Sequence, residues 1–294
     1  MESLALAIGS SLPFRGALPA ADSAVHPVDV VRVDLRAGAI GRDVATTEEP
    51  LEIRLGSRPF VVIMRTPGQD RHLAAGFLLS EQIVRTPGDI ATMRYCADDD
   101  GRDAVNVLNV WLDGEAAVRS QVALEGRRHV TANSACGVCG RRSIDDLLEG
   151  SHRVEAALKV SSVVIAGLPT ALRAAQQTFE QTGGLHAAGL FSGDGVLVRA
   201  AEDVGRHNAV DKVLGAELLG GHVPLNDRVL FFVSGRTSFE IVQKAVVAGV
   251  PIVASVSAPS SLAIELAREA NVTLLGFVRG TTFNIYSGAE RIEL

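Results

Sequence analysis

Two of the three cysteines stand in Ser134-Ala-Cys136-Gly-Val-Cys139-Gly-Arg141-Arg142. Glycines within and after the pair predict a loop with few conformational restraints. Arg141, Arg142 and a short helix expected to begin near Ser143 all favour the thiolate, the form of cysteine that attacks sulfur. Three chemistries compete for such a pair. A structural zinc needs two more ligands, and only Cys96 and scattered histidines such as His129 and His152 remain, without a second pair at ligand spacing. A dithiol oxidoreductase places its pair after the first strand of a βαβ unit, whereas this one falls between two expected domains. A carrier of sulfane sulfur needs one nucleophilic cysteine on a loop that visits a donor and then an acceptor, with a second thiol to assist release. The last task suits the local sequence best, although Cys-x-x-Cys alone does not decide among the three.

A second set of candidates follows three short apolar runs. Residues 229–233 lead into Ser234-Gly235-Arg236-Thr237-Ser238, residues 251–255 into Val256-Ser257-Ala258-Pro259-Ser260-Ser261, and the run from Val272 into Phe277-Val278-Arg279-Gly280-Thr281-Thr282. In an open α/β sheet, ligands bind beyond the carboxyl ends of the strands, where loop amides and helix N-termini converge. The three segments supply hydroxyls, amides beside glycines, and two guanidinium groups that fork onto phosphate oxygens. They predict an anion site for a phosphorylated or nucleotide ligand, although single loops of this kind are also ordinary helix caps.

The run Glu202-Asp203-Val204-Gly205-Arg206-His207-Asn208-Ala209-Val210-Asp211-Lys212 opens an expected helix with Val210, Leu214 and Leu218 facing inward. Its carboxylates can accept from the N–H edge of a purine-like ring, and Arg206, His207 and Asn208 can meet phosphate or a pterin. The same pattern also describes a helix capped by Asp203 with a solvated charged face. His186 has two readings as well, a site residue or a core histidine. No Gly-x-x-x-x-Gly-Lys-[Ser/Thr] and no Gly-x-Gly-x-x-Gly is present, so P-loop hydrolysis and dinucleotide dehydrogenation lose their signatures. A zinc nucleobase deaminase is disfavoured too: Ala188 stands where His-x-Glu needs its glutamate, and the cysteine pair lies upstream.

These residues need a scaffold. Residues 1–26, rich in Ala, Ser, Gly and Pro, read as a poorly ordered arm. Residues 27–132 read as a small α+β domain with strands at 28–35, 50–55 and 60–64 in one sheet, a helix over 70–84 and a strand at 104–112. Residues 133–143 form the mobile cysteine loop. Residues 144–294 read as an α/β cofactor-binding domain: a helix over 167–182 ending at Gly183-Gly184, a hairpin around Ser-Gly-Asp-Gly, and then β-α-β-α-β from Val229 with a parallel sheet covered on both faces. A chain of 294 residues allows two such units. Its net charge of −6 argues against general nucleic-acid binding, so a polyanionic ligand must meet a local basic cluster. Three cysteines make no disulfide framework, no charged region precedes the first apolar stretch, and no run reaches the length of a membrane span. A cytoplasmic protein is expected.

The sequence resembles the formate dehydrogenase accessory sulfurtransferase family, called FdhD. The resemblance runs from about Val28 to the end, through Met64-Arg-Thr-Pro-Gly68, Leu73-Ala-Ala-Gly-Phe77, Ala135-Cys-Gly-Val-Cys-Gly140, Thr182-Gly-Gly-Leu-His186, the 202–212 run, Ser234-Gly-Arg-Thr-Ser238 and Phe277-Val-Arg-Gly280. It implies a sulfurtransferase that takes sulfur from a cysteine desulfurase as a persulfide. The sulfur goes to the molybdenum or tungsten of a bis-molybdopterin guanine dinucleotide cofactor needed by formate dehydrogenase, with GDP or GMP as partial ligands. It further implies Cys136 as the persulfide carrier with Cys139 in support, and a cofactor stretch at Phe277, Val278, Arg279, Gly280, Thr281 and Thr282. A cytidine-deaminase-like three-layer C-terminal domain and a homodimer are implied as well. Ser234, Gly235, Arg236, Thr237, Ser257, Asp203, Gly205, Arg206, His207, Asn208, Asp211 and His186 complete the candidate cofactor contacts, with no resident metal. Thr282 departs from the family, many members of which carry a basic residue there. A cofactor chaperone without sulfur chemistry and a dithiol oxidoreductase are the alternatives.

Overall fold

The computed structural model describes residues 23–33, 38–97, 103–127, 153–233 and 235–294. Both cysteines of the pair, the expected cysteine loop, Ser234 and most of the expected N-terminal arm therefore lie outside the described residues.

Strand β1 (Val25–Val33) pairs antiparallel with β2 (Gly38–Thr46) in a ribbon of two strands, from Val25 opposite Thr46 to Val33 opposite Gly38. This corrects the expectation of one sheet for the first half. β1 takes its partner from the stretch that follows it, and Val33, 75% exposed, faces no core. Strands β3 (Glu49–Leu55), β4 (Arg58–Arg65), β5 (Ile90–Ala97) and β6 (Asp103–Leu112) form a separate sheet in the order β4-β3-β6-β5, with β3 and β6 parallel. In β3 the period of two turns Leu51, Ile53 and Leu55 inward. There they meet helix α1 (Asp70–Ser80), which places Leu73, Ala74 and Leu78 in the same core. Helix α2 (Gly114–Arg127) follows β6.

The second half opens with the short strand β7 (Val160–Ser161) and two helices, α3 (Ser162–Ala175) and α4 (Gln177–Thr182), where the sequence reading has one helix beginning at Gly167. The Ser161 side chain caps α3 by accepting from Val163 N–H. The break at Gln176 has a distant partner: the Glu202 carboxylate accepts from the amides of Thr178 and Phe179 and so starts a new helix. Gly183, at φ 66°, ends it as expected.

The main sheet runs β15-β14-β12-β10-β8-β9, from β8 (His186–Ser192), β9 (Leu197–Asp203), β10 (Arg228–Val233), β12 (Ile252–Ser255), β14 (Thr273–Arg279) and β15 (Thr282–Ser287). β10, β12 and β14 are parallel as expected; β8, β9 and β15 join antiparallel, so the sheet is mixed. The short pairs β11 (Arg236–Thr237) with β13 (Ala258–Pro259), and β7 with β16 (Ile292–Glu293), lie beside it. Alternation along the central strands sends Leu230, Phe232, Val253 and Leu274 toward α5 (Arg206–Leu219), α6 (Phe239–Val247) and α7 (Ser261–Glu269). Val229, Phe231, Ile252 and Leu275 point the other way, onto Ile165, Leu168 and Leu172 of α3.

The two halves meet where α1 crosses α5. A Cβ on Gly76 would stand 1.9 Å from the carbonyl oxygen of Asp211, and one on Gly215 would stand 1.9 Å from that of His72. The helices therefore touch backbone to backbone. A buried ionic group flanks the start of α1: Arg65 pairs with Asp70 at 3.0 Å and Glu49 at 3.3 Å, and Tyr95 donates to Asp70. Burial, then the negative Asp70 beside it, pushes the Tyr95 phenol up to about 12.

Candidate functional site

Parallel pairing brings the carboxyl ends of β10, β12 and β14 to one edge, where the loops are bound to one another. Arg236 and Thr237 pair with Ala258 and Pro259, and the amide of Ser260 donates to the Thr237 carbonyl at 2.9 Å. Beneath them the buried hydroxyls of Thr237 and Ser255 lie 2.9 Å apart, and Ser255 also donates to the Ser257 carbonyl. The Ser257 hydroxyl donates to the Gly235 carbonyl, and the Ser257 carbonyl accepts from the amide of Phe277. Gly276 makes the last approach possible, because a Cβ there would lie 2.9 Å from the Ser257 oxygen.

On this frame several of the side chains expected to meet a ligand are exposed. Arg236 projects from its loop. Arg279 donates from Nε to the Val256 carbonyl at 2.9 Å, which fixes the guanidinium beside its loop, 5.8 Å from the Phe277 ring centroid. Phe277 adopts φ 54°, an uncommon left-handed conformation for an aromatic residue. Gly280 at φ 56° carries the turn into β15, where the Thr282 hydroxyl donates to the Arg279 carbonyl. Val278 is different: it is fully buried in the sheet core.

The first turn of α5 meets the first turn of α6 at the same edge. His207 Nε2 lies 3.2 Å from the Ser238 hydroxyl and 3.7 Å from Glu240. Burial pushes the Glu240 carboxyl up, yet interactions with His207, Ser238 and its own amide outweigh it and hold the group down at about 2. Ser238 closes the 234–238 segment expected to supply hydroxyls to a ligand, whereas Glu240 is not among the residues singled out. Their signal is a serine and an acidic residue at the head of an apolar-periodic helix, which reads equally as routine capping.

The rest of the 202–212 run separates into two groups. Asp203 is 0% exposed and accepts from Thr66 N–H, Gly205 N–H and the Asn208 amide, with Lys212 Nζ at 2.7 Å. Asn208 also donates to the Met64 carbonyl, and Lys212 to those of Thr66 and Glu202. Asp211 faces the other half, accepting from Ser80 at 2.9 Å and from Lys244 at 2.7 and 2.8 Å. Asp203, Asn208 and Asp211, expected as cofactor contacts, are buried and tie together the 64–66 segment, α1, α5 and α6. Gly205 precedes α5, and a Cβ there would meet the Asn208 amide at 2.7 Å. Arg206 and His207 stay partly accessible, and Arg206 Nε has no partner among the described residues. His186 begins β8, opposite Asp203 in β9.

Comparison with known proteins adds a family. The model of the FdhD/NarQ family matches residues 46–293, which include the cysteine pair and all three strand ends. A sulfur carrier protein FdhD of Nocardia farcinica is 50% identical over 262 residues, 87% of this chain and 91% of the relative. One from Anaeromyxobacter dehalogenans is 48% identical over 268 residues, 90% of this chain and 93% of the relative. The crystal structure of a proposed formate dehydrogenase accessory protein from Desulfotalea psychrophila superposes with a TM-score of 0.71 at 25% identity, covering 92% of this chain and all of the other. No helix among the described residues is long and apolar enough to cross a membrane.

Proposed function

The chain belongs to the FdhD/NarQ family, and from that premise we propose that it carries sulfur for formate dehydrogenase. The observation that supports this most directly is its high identity, over nearly its whole length, to relatives named as sulfur carriers. In this reading the Cys136 thiolate attacks the outer sulfur of a persulfide on a cysteine desulfurase. The donor S–S bond breaks, a new one forms on Cys136, and the donor leaves as thiolate. Release as sulfide requires two electrons, which the neighbouring thiol supplies. The Cys139 thiolate attacks the Cys136 sulfur, HS⁻ departs, and a Cys136–Cys139 disulfide remains for a cellular dithiol to reduce.

The acceptor is the molybdenum or tungsten of a bis-guanine-dinucleotide pterin, treated as cargo. Arg236 and Arg279 answer its phosphates, with His207 beside them and Ser257 and the Gly235 and Gly280 amides shaping the crevice. The protein acts as a cytoplasmic homodimer. Incubation with a desulfurase and cysteine, followed by intact mass, tests the transfer: an adduct of about 32 Da, one sulfur atom, forms on the native chain and not on Cys136→Ala. Persistent absence of the adduct, with guanine nucleotide still bound, refutes sulfur carriage and leaves a cofactor chaperone.

A further inference from the structure

Helix α3 is apolar nearly all round, yet one side of it is exposed. In its 14 residues the one ionisable side chain is Arg173, which folds over the Phe179 ring of α4 at 4.3 Å and pairs with Glu180 at 2.8 Å. Ile165, Leu168 and Leu172 fill the core on one side. Val163, Gly167, Thr170 and Ala174, spaced to share the opposite side, are exposed. A surface helix carries charge on its outer side, and a helix apolar all round is a buried one. The hairpin between β8 and β9 extends the patch. A Cβ on Gly195 would come 2.9 Å from Val164 Cγ1, so the hairpin tip sits flush on the first turn of α3, and Val163 and Val196 are 78% and 60% exposed there.

The β1–β2 ribbon has a complementary shortfall. Two strands alone are marginal in water unless something packs on them. The base of the ribbon is tied to the body: Thr46 donates to Thr182 at the end of α4, and a Cβ on Gly184 would stand 2.8 Å from the Thr46 hydroxyl. Toward the tip, Val31 and Val33 share one face and are 46% and 75% exposed. The two surfaces match in size. A helix of 14 residues offers a side about 21 Å long and about 10 Å wide, and two strands of 9 residues offer one of about 30 Å by about 10 Å. Either alone is well under half of the roughly 800 Å² per partner of a stable interface.

We infer that the exposed side of α3 is covered by the β1–β2 ribbon of a second copy of this chain, each copy lending its ribbon to the other's helix about a two-fold axis. The inference rests on the homodimer reading above and names the surfaces that make the dimer. Two such contacts, with the Val196 tips included, bury about 1,000 Å² in all, the lower bound for a specific pair, whereas α3 packed on α3 alone falls short of it. The exchange is self-complementary and closes at two copies. A different protein seated on α3 leaves Val31 and Val33 uncovered; a second copy covers both surfaces at once.

Sedimentation velocity on the full chain, over a wide range of concentration, tests the exchange. The native chain sediments as a dimer. Gly167→Glu puts a charge on the exposed side of α3, where an added Cβ meets nothing within 4 Å, and Val33→Lys puts one at the ribbon tip. Each variant keeps the native far-ultraviolet circular dichroism and raises the dimer Kd at least tenfold, because a lone charge is buried without a partner. Mixing the two variants restores association: one contact is then native and the other joins the opposite charges. That rescue separates surface contact from damage to folding. Dimerisation unchanged in either variant, or no recovery on mixing, overturns the exchange and leaves the homodimer reading standing. A native chain that is monomeric throughout overturns both. A monomer that instead binds the desulfurase, in a complex weakened by Gly167→Glu, assigns α3 to the sulfur donor and also overturns the inference. The mass adduct on Cys136 forms in every variant, so sulfur carriage is tested separately.

Discussion

Replacing Gly76 with alanine places a methyl group 1.9 Å from the Asp211 carbonyl oxygen. Real contacts of this kind are not found below 3.0 Å, so α1 and α5 must part by about 1.1 Å or distort. Neither neighbour is a flexible side chain that swings aside, which puts the cost near the top of the usual overpacking range, about 3 kcal/mol. The same displacement stretches the Ser80–Asp211 bond, now 2.9 Å. For a chain of this size the melting temperature should fall by roughly 6–12 °C, and the urea midpoint should shift at constant slope. Gly167→Ala is the matched control: it too sits in a helix, but its added Cβ meets nothing within 4 Å. It should be neutral or stabilising by up to about 1 kcal/mol. Gly215→Ala should resemble Gly76→Ala, and the double variant should cost less than the sum, because the first substitution already opens the gap the second needs. A Gly76→Ala protein within about 0.5 kcal/mol of the native chain would refute the backbone-contact argument.

Lys244→Met leaves Asp211 buried without its cation and should lose about 3–5 kcal/mol in urea unfolding, with much of the loss recovered when Asp211→Asn is added. Glu240 has its folded pKa depressed to about 2 from 4.5, so its contribution to stability is present above about 4.5 and is lost as pH falls toward about 2. Glu240→Gln should therefore flatten the acid side of a stability-against-pH curve over that window. Tyr95, raised to about 12 from 10.0, contributes stability that is complete below 10.0 and disappears as pH climbs through about 12. Tyr95→Phe should remove that late ionisation from an alkaline absorbance titration.

The region most legible in the sequence was 229–277, because strands covered on both faces are written as unbroken apolar runs and the helices between them keep their own period. β2 and α2 gave weaker signals. β2 mixes glycine, apolar and charged residues and pairs, among the described residues, only with β1; α2 leaves Val118 and Val122 exposed, so its apolar residues do not trace one buried stripe. The break at Gln176 depends on Glu202, 26 positions away, and no local pattern records that contact. In the 202–212 run, residue types correctly marked a dense polar centre. They did not distinguish Arg206 and His207, which stay accessible, from Asp203, Asn208 and Asp211, which are internal. That difference is set by which side of α5, and of the end of β9, meets the first half of the chain.

The glycine crossing limits how this protein can be rebuilt. α5 carries His207 in its first turn, beside the strand ends, and two turns on presses Gly215 against His72. A chimera that imports the first half of a relative must import the inner side of α5 with it. Otherwise the graft seats poorly and the crevice is re-aimed, even though no residue in it has been exchanged.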